Sequence, residues 1–85
     1  MYRVILQSRA ERQFKKIAAK DQKKIAEAID ALAKDPFVGK KLEGKLQHYY
    51  GVRVWPYRII YMIEKKILTV YVIGIGQRKD VYRNM

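Results

Sequence analysis

At 85 residues, 49% of them apolar, the chain has material for one compact core, so a single domain over residues 1–85 is expected. The absence of cysteine excludes disulfides and thiolate metal sites. Nineteen Lys and Arg against eight Asp and Glu give a net charge of +11. The excess is distributed, with 12 basic and 6 acidic groups in residues 1–48 and 7 and 2 in residues 49–85. That is a basic folded domain rather than a neutral one with a basic tail, and such a field favours polyanions. No apolar run is long enough to span a membrane, and the N-terminus lacks a basic-then-apolar signal pattern. A cytoplasmic protein without membrane contact is expected.

In chain order, residues 2–7 (YRVILQ) read as a short strand. Ser8-Arg9-Ala10-Glu11 fits a capping box opening a helix, whose apolar positions are Ala10, Phe14, Ile17 and Ala18. Asp21 is the expected N-cap of a second helix with a stripe of Ile25, Ala28, Ile29, Leu32 and Ala33, ended by Asp35-Pro36. After the Pro36–Gly44 loop the period changes. Residues 46–54, 57–64 and 67–75 are rich in Val, Ile and Tyr, and the breaks between them are short enough for hairpins. In the second of these strands Tyr57, Ile59, Tyr61 and Ile63 point one way, and Arg58, Ile60 and Met62 the other. The last strand is apolar on both faces, as a central strand would be. The order β-α-α-β-β-β predicts an α+β fold: an antiparallel sheet with a helical hairpin packed on one face. The opposite face, left without a covering element, is where function is expected.

The candidate chemistry is narrow. One histidine (His48) and scattered carboxylates leave no ligand set for a metal, and Gly74-Ile75-Gly76 lacks the third glycine and the helix of a dinucleotide fingerprint. No metal and no small-molecule cofactor are expected. What remains is Arg53, Arg58, Arg78 and Arg83, interleaved with tyrosines and Trp55. Guanidinium groups hold phosphates bidentately and aromatic rings stack on unpaired bases. Tyr57, Tyr61 and Tyr71 share a parity with core positions and are expected to pack. Tyr49 and Tyr50 cannot both face inward. Trp55, beside Pro56 at a turn, suits a hairpin staple or a base-stacking platform equally.

The stretch Tyr49-Tyr50-Gly51-Val52-Arg53-Val54-Trp55-Pro56-Tyr57-Arg58-Ile59-Ile60-Tyr61 resembles the RelE/ParE toxins, in which R-V-x-x-Y-R-x-x-Y spans two strands. Gly76-Gln77-Arg78-Lys79-Asp80-Val81-Tyr82-Arg83 is similar to their closing segment, and Lys41-Leu42-Glu43-Gly44 to the turn leading into those strands. The resemblance covers nearly the whole chain and implies a RelE-like fold. It further implies a toxin of a type II toxin–antitoxin system, a ribosome-dependent endoribonuclease (mRNA interferase) inhibiting translation by metal-free 2′-OH attack. The alternatives are a ParE-like inhibitor of DNA gyrase and a non-catalytic RNA- or protein-binding member. Carried over to this chain, Arg58 would hold the scissile phosphate, Arg78 the phosphate and leaving group, and Tyr82 would orient the nucleotide. Arg53, Lys45, Lys79 and Arg83 would bind RNA. The implied partners are the ribosome, mRNA and a cognate antitoxin presenting an acidic or amphipathic helix. The chain departs from the family pattern where relatives keep proton-transfer groups: lysines at the positions of Tyr49 and Gly51, or a histidine at Gln77. His48, Lys45 and the Tyr82 hydroxyl are the possible substitutes, although His48 has the wrong parity for the open face.

Overall fold

The computed structural model describes residues 1–77. Strand β1 (Arg3–Leu6) runs almost directly into helix α1 (Ser8–Lys15), and helix α2 (Ala19–Lys34) follows. The remaining strands are β2 (Lys40–Lys41), β3 (Tyr50–Val54), β4 (Tyr57–Glu64) and β5 (Thr69–Gln77). They form one sheet in the order β1-β5-β4-β3-β2. This is the expected α+β arrangement of a mostly antiparallel sheet under a helical pair, with two additions. Strand β1 lies parallel to β5, with Arg3 opposite Thr69 and Leu6 opposite Val72. The two-residue β2 sits inside the segment expected to be loop and pairs with the start of β3.

The helix starts differ from expectation for a local reason. Gln7 both ends β1 and opens α1: its N–H donates to the Val72 carbonyl (3.0 Å), while its carbonyl accepts from the Glu11 N–H (2.9 Å). Ser8 is therefore already inside the helix. The cap is Gln7, with no side-chain hydrogen bond, and the expected capping box is not the N-terminal device. Likewise α2 begins before Asp21, with Ala18 as its cap. Asp21 instead lies in the first turn, where its carboxylate favours the helix dipole and accepts from the Tyr57 hydroxyl (3.3 Å). Gln22 Nε2 donates to the Phe14 carbonyl (2.9 Å), tying the two helices together across their turn.

The core is the layer between the helices and one face of the sheet. Ala10 from α1, Ile25 and Leu32 from α2, and Ile59, Tyr61, Val70, Val72 and Ile75 from the sheet are buried there. Burying such side chains is worth roughly 1.5–3 kcal/mol each. Central strand β5 outlasts β1 on one side, which leaves part of its backbone without a strand neighbour among the described residues. The Gln13 side chain of α1 fills this gap, its Oε1 accepting from the Ile75 N–H at 2.8 Å.

Between β4 and β5 the register slips by one residue: Ile60 pairs with Gly74, but Tyr61 pairs with Val72. This bulge changes which side of β5 faces out. Val70 and Val72 lie in the core before it, and Ile75 after it. Gly74 and Gly76 are thereby turned to the face away from the helices. Tyr71, between two core valines, faces that side as well, opposite Met62. The expected core parity of Tyr71 fails: it precedes the bulge and alternates with Val70 and Val72, which hold the core side. Tyr57 and Tyr61 do pack on the core. The last strand also starts later than expected, because Lys65–Ile67 form a 3-10 turn and Leu68 adopts a left-handed conformation (φ 47°).

Candidate nucleic-acid interface

The sheet face away from the helices carries the candidate site. On β4, Ile59 and Tyr61 face the core, so Arg58 and Ile60 face away from it. Cross-strand partners share a face, so Arg53, opposite Arg58, faces the same way, and Gly76 flanks Arg58 from the other side. The next row along is Lys40, Gly51, Ile60 and Gly74. Two arginines thus stand side by side on a surface where three of the neighbouring positions are glycine. An anion lying between two guanidinium groups on one face can be held by both. Of these glycines Gly76 is partly exposed beside Arg58, whereas Gly74 is buried.

A groove of about 630 Å³ opens beside this pair. Residues 38–43 form one wall, including Lys40, Lys41 and Glu43, while Gly51, Arg53 and Arg58 lie across from them. The start of the wall is tied down where the Tyr61 hydroxyl donates to the Pro36 carbonyl at 2.6 Å, and the Tyr61 ring stacks on Tyr50 of β3 with centroids 5.7 Å apart. Gly39 is packed so closely here that a β-carbon would overlap the Tyr61 hydroxyl and the Gly51 carbonyl. Further along, Leu42 reaches over Gly51 toward Ile60. A β-carbon on Gly51 would meet Leu42 Cδ2 at 3.3 Å and Ile60 Cδ1 at 3.5 Å. Ile60 is completely buried, although no helix covers this face among the described residues.

Burial, with a smaller opposing effect from a hydrogen bond to the Gly39 backbone, pushes the Tyr61 hydroxyl up to about 12. It stays protonated at neutral pH and serves as an anchor, not a proton carrier. Of the residues singled out from sequence, Arg53 and Arg58 are brought together in the groove. Lys45 is exposed on a 3-10 turn (Gly44–Leu46), and Lys45 and His48 both lie outside the groove lining. Arg78, Lys79, Tyr82 and Arg83 lie outside the described residues. Trp55 is 69% exposed at the β3–β4 turn, next to the arginine end of the two strands, and does not act as a packed staple. Lys40 was not among the sequence candidates, since only the register of β2 reveals its place beside Gly51.

Residues 4–82 match the family of ParE toxins of type II toxin–antitoxin systems, parDE. The chain belongs to this family, within the RelE/ParE superfamily. It is 33% identical over 57 residues to Toxin RelG of Mycobacterium tuberculosis, a match covering 66% of each chain. A chain of the RelBE2 toxin–antitoxin complex from Mycobacterium tuberculosis superposes with a TM-score of 0.84 at 26% identity, covering 91% of this chain and 98% of that one. The isolated RelE toxin of E. coli superposes with a TM-score of 0.79 at 22% identity, covering 96% and 92%. A chain of the RelE–RelB complex from Pyrococcus horikoshii gives a TM-score of 0.79 at 22% identity, covering 92% and 96%. The fold shared with these structures is the two-helix, five-stranded arrangement described above. Among the described residues no helix is long and apolar enough to cross a membrane.

Proposed function

We propose that this toxin is an endoribonuclease that inhibits translation by cutting mRNA on the ribosome in the cytoplasm, with the Arg53–Arg58 groove as its RNA site. The observation that carries this reading is the side-by-side arginine pair on a glycine-flanked sheet face, which suits a phosphodiester better than any neutral ligand. In the proposed reaction the 2′ oxygen attacks the adjacent phosphorus as its proton leaves. The P–O5′ bond breaks, and the departing oxygen takes up a proton. Arg58 and Arg53 stabilise the negative charge that builds on the phosphoryl oxygens, a contribution worth about 10²–10³ in rate for one well-placed donor. By family resemblance Arg78 acts at the phosphate and leaving group, and Tyr82 orients the nucleotide. Lys45, Lys79 and Arg83 add charge along the RNA path. No metal or cofactor enters the scheme.

A cognate antitoxin follows from family membership and from relatives solved in toxin–antitoxin complexes. The basic surface suits an acidic or amphipathic segment of such a partner. The match to ParE toxins favours a second reading, inhibition of DNA gyrase through protein contact. Brief induction followed by mapping of mRNA 5′ ends separates the two. Nuclease action leaves new ends within coding regions, and they disappear for Arg58→Ala combined with Arg78→Ala. Intact mRNA with blocked replication would refute it in favour of gyrase. Undiminished cutting by the double variant would refute the site.

A further inference from the structure

We infer that Lys40 is a third phosphate-binding cation of this groove, gripping the RNA backbone beside the nucleotide held by Arg53 and Arg58. This rests on the groove being the RNA site. Three observations place Lys40 there. Its register partner is Gly51, which shares the face and the row of Ile60, next to the row of Arg53 and Arg58. Its neighbour two residues on, Leu42, packs over Gly51 on that same face, so alternation along the segment turns Lys40 the same way. Lys40 is also exposed and lines the groove together with both arginines.

The distances suit a shared ligand. Strands lie about 4.8 Å apart and rise about 3.3 Å per residue, which puts the Lys40 and Arg58 Cα atoms roughly 12 Å from each other. Both side chains are long, and both line the same groove. The ammonium on its flexible stem acts as a point charge for a neighbouring phosphate, while the guanidinium pair takes the oriented one. Anchoring of the wall by Tyr61 at Pro36 and by Leu42 at Gly51 fixes the backbone from which Lys40 projects.

The test is binding of a 2′-O-methyl single-stranded RNA, which this chemistry cannot cleave, by fluorescence anisotropy from low to high salt. Each phosphate contact contributes about 0.7 to the slope of log K against log salt for a single strand. Lys40→Gln is expected to lower the slope by about that amount and to weaken binding roughly three-fold near physiological salt. Lys40→Arg should restore both. Lys23→Gln, the same charge change on exposed α2 across the sheet, should leave the slope as in wild type. If Lys40→Gln behaves like Lys23→Gln while Arg58→Ala lowers the slope, Lys40 is no contact and the groove remains the RNA site. If neither Arg53→Ala nor Arg58→Ala moves the slope, the groove is not the RNA site, and Lys40 falls with it.

Discussion

Replacing Tyr61 with phenylalanine should cost far more than loss of one oxygen suggests. The ring is completely buried and stacked on Tyr50, so Tyr61→Phe keeps the packing and removes only the hydroxyl. That hydroxyl donates to the Pro36 carbonyl at 2.6 Å. Its removal leaves that carbonyl without its partner where water has little access. A buried orphan costs about 1–3 kcal/mol. For a domain of this size 1 kcal/mol moves Tm by roughly 4–8 °C, so the variant should melt at least about 4 °C lower. Urea unfolding gives the free energy directly, and the m-value should be unchanged, because the surface exposed on unfolding is unchanged. The pH dependence has a defined sign. With the folded pKa raised from 10.0 to about 12, the stabilisation from the protonated hydroxyl is fully present below pH 10 and is lost as pH rises toward 12. The gap between wild type and Tyr61→Phe should therefore narrow over that interval. A loss below about 0.5 kcal/mol at pH 7, within the range of an ordinary surface substitution, would refute the anchoring role.

Gly39→Ala should destabilise by about 1–3 kcal/mol, since its β-carbon meets a buried hydroxyl and a carbonyl, whereas Gly51→Ala should cost less because the Leu42 side chain can shift; paired urea titrations compare them. Gln13→Leu leaves the Ile75 N–H without its acceptor and should cost about 1–3 kcal/mol, read in the same titration or as faster amide exchange at Ile75. Trp55→Ala should change stability by less than about 0.5 kcal/mol, given the side chain's exposure. If Trp55 stacks on a base, the same change weakens single-stranded RNA binding by about 1–3 kcal/mol, and unchanged anisotropy would remove it from the interface.

The parts of the fold legible in the sequence are those written in local pattern. The limits of β4 at Tyr57 and Glu64 follow from alternation and flanking breaks, and the end of α2 follows from Asp35-Pro36, where the Asp35 carboxylate accepts from the Phe37 N–H. The bulge is different. Ile73 looks like its neighbours in sequence, and only pairing with β4 shows that one residue of β5 is extra, which puts Tyr71 on the same face as Gly74 and Gly76 despite their opposite parity. Ser8 and Asp21 carry good capping chemistry, but tertiary hydrogen bonds at Gln7 and Tyr57 set where the helices begin and what Asp21 does. Arg53 and Arg58 were visible as strand arginines, and their direct opposition needed only the hairpin register. Lys40 was invisible for the converse reason. One exposed lysine among many acquires a place only when a two-residue strand is paired across a gap in sequence.

The parallel neighbours β1 and β5 come from opposite ends of the described chain, so the sheet is closed by a contact between residues more than 60 positions apart. Such closure has a high loop entropy and slows folding relative to a simple succession of hairpins. It also sets an order during synthesis. Until Thr69–Gln77 has emerged, β1 has no strand to join, β4 keeps one unpaired edge, and Ile25 and Leu32 lack the β5 valines beneath them. The arginine hairpin of β3 and β4 is complete in sequence well before its supporting layer exists. Nascent chains halted short of residue 69 should therefore be protease-sensitive throughout, and protection should arrive as one late step rather than spread from the N-terminus.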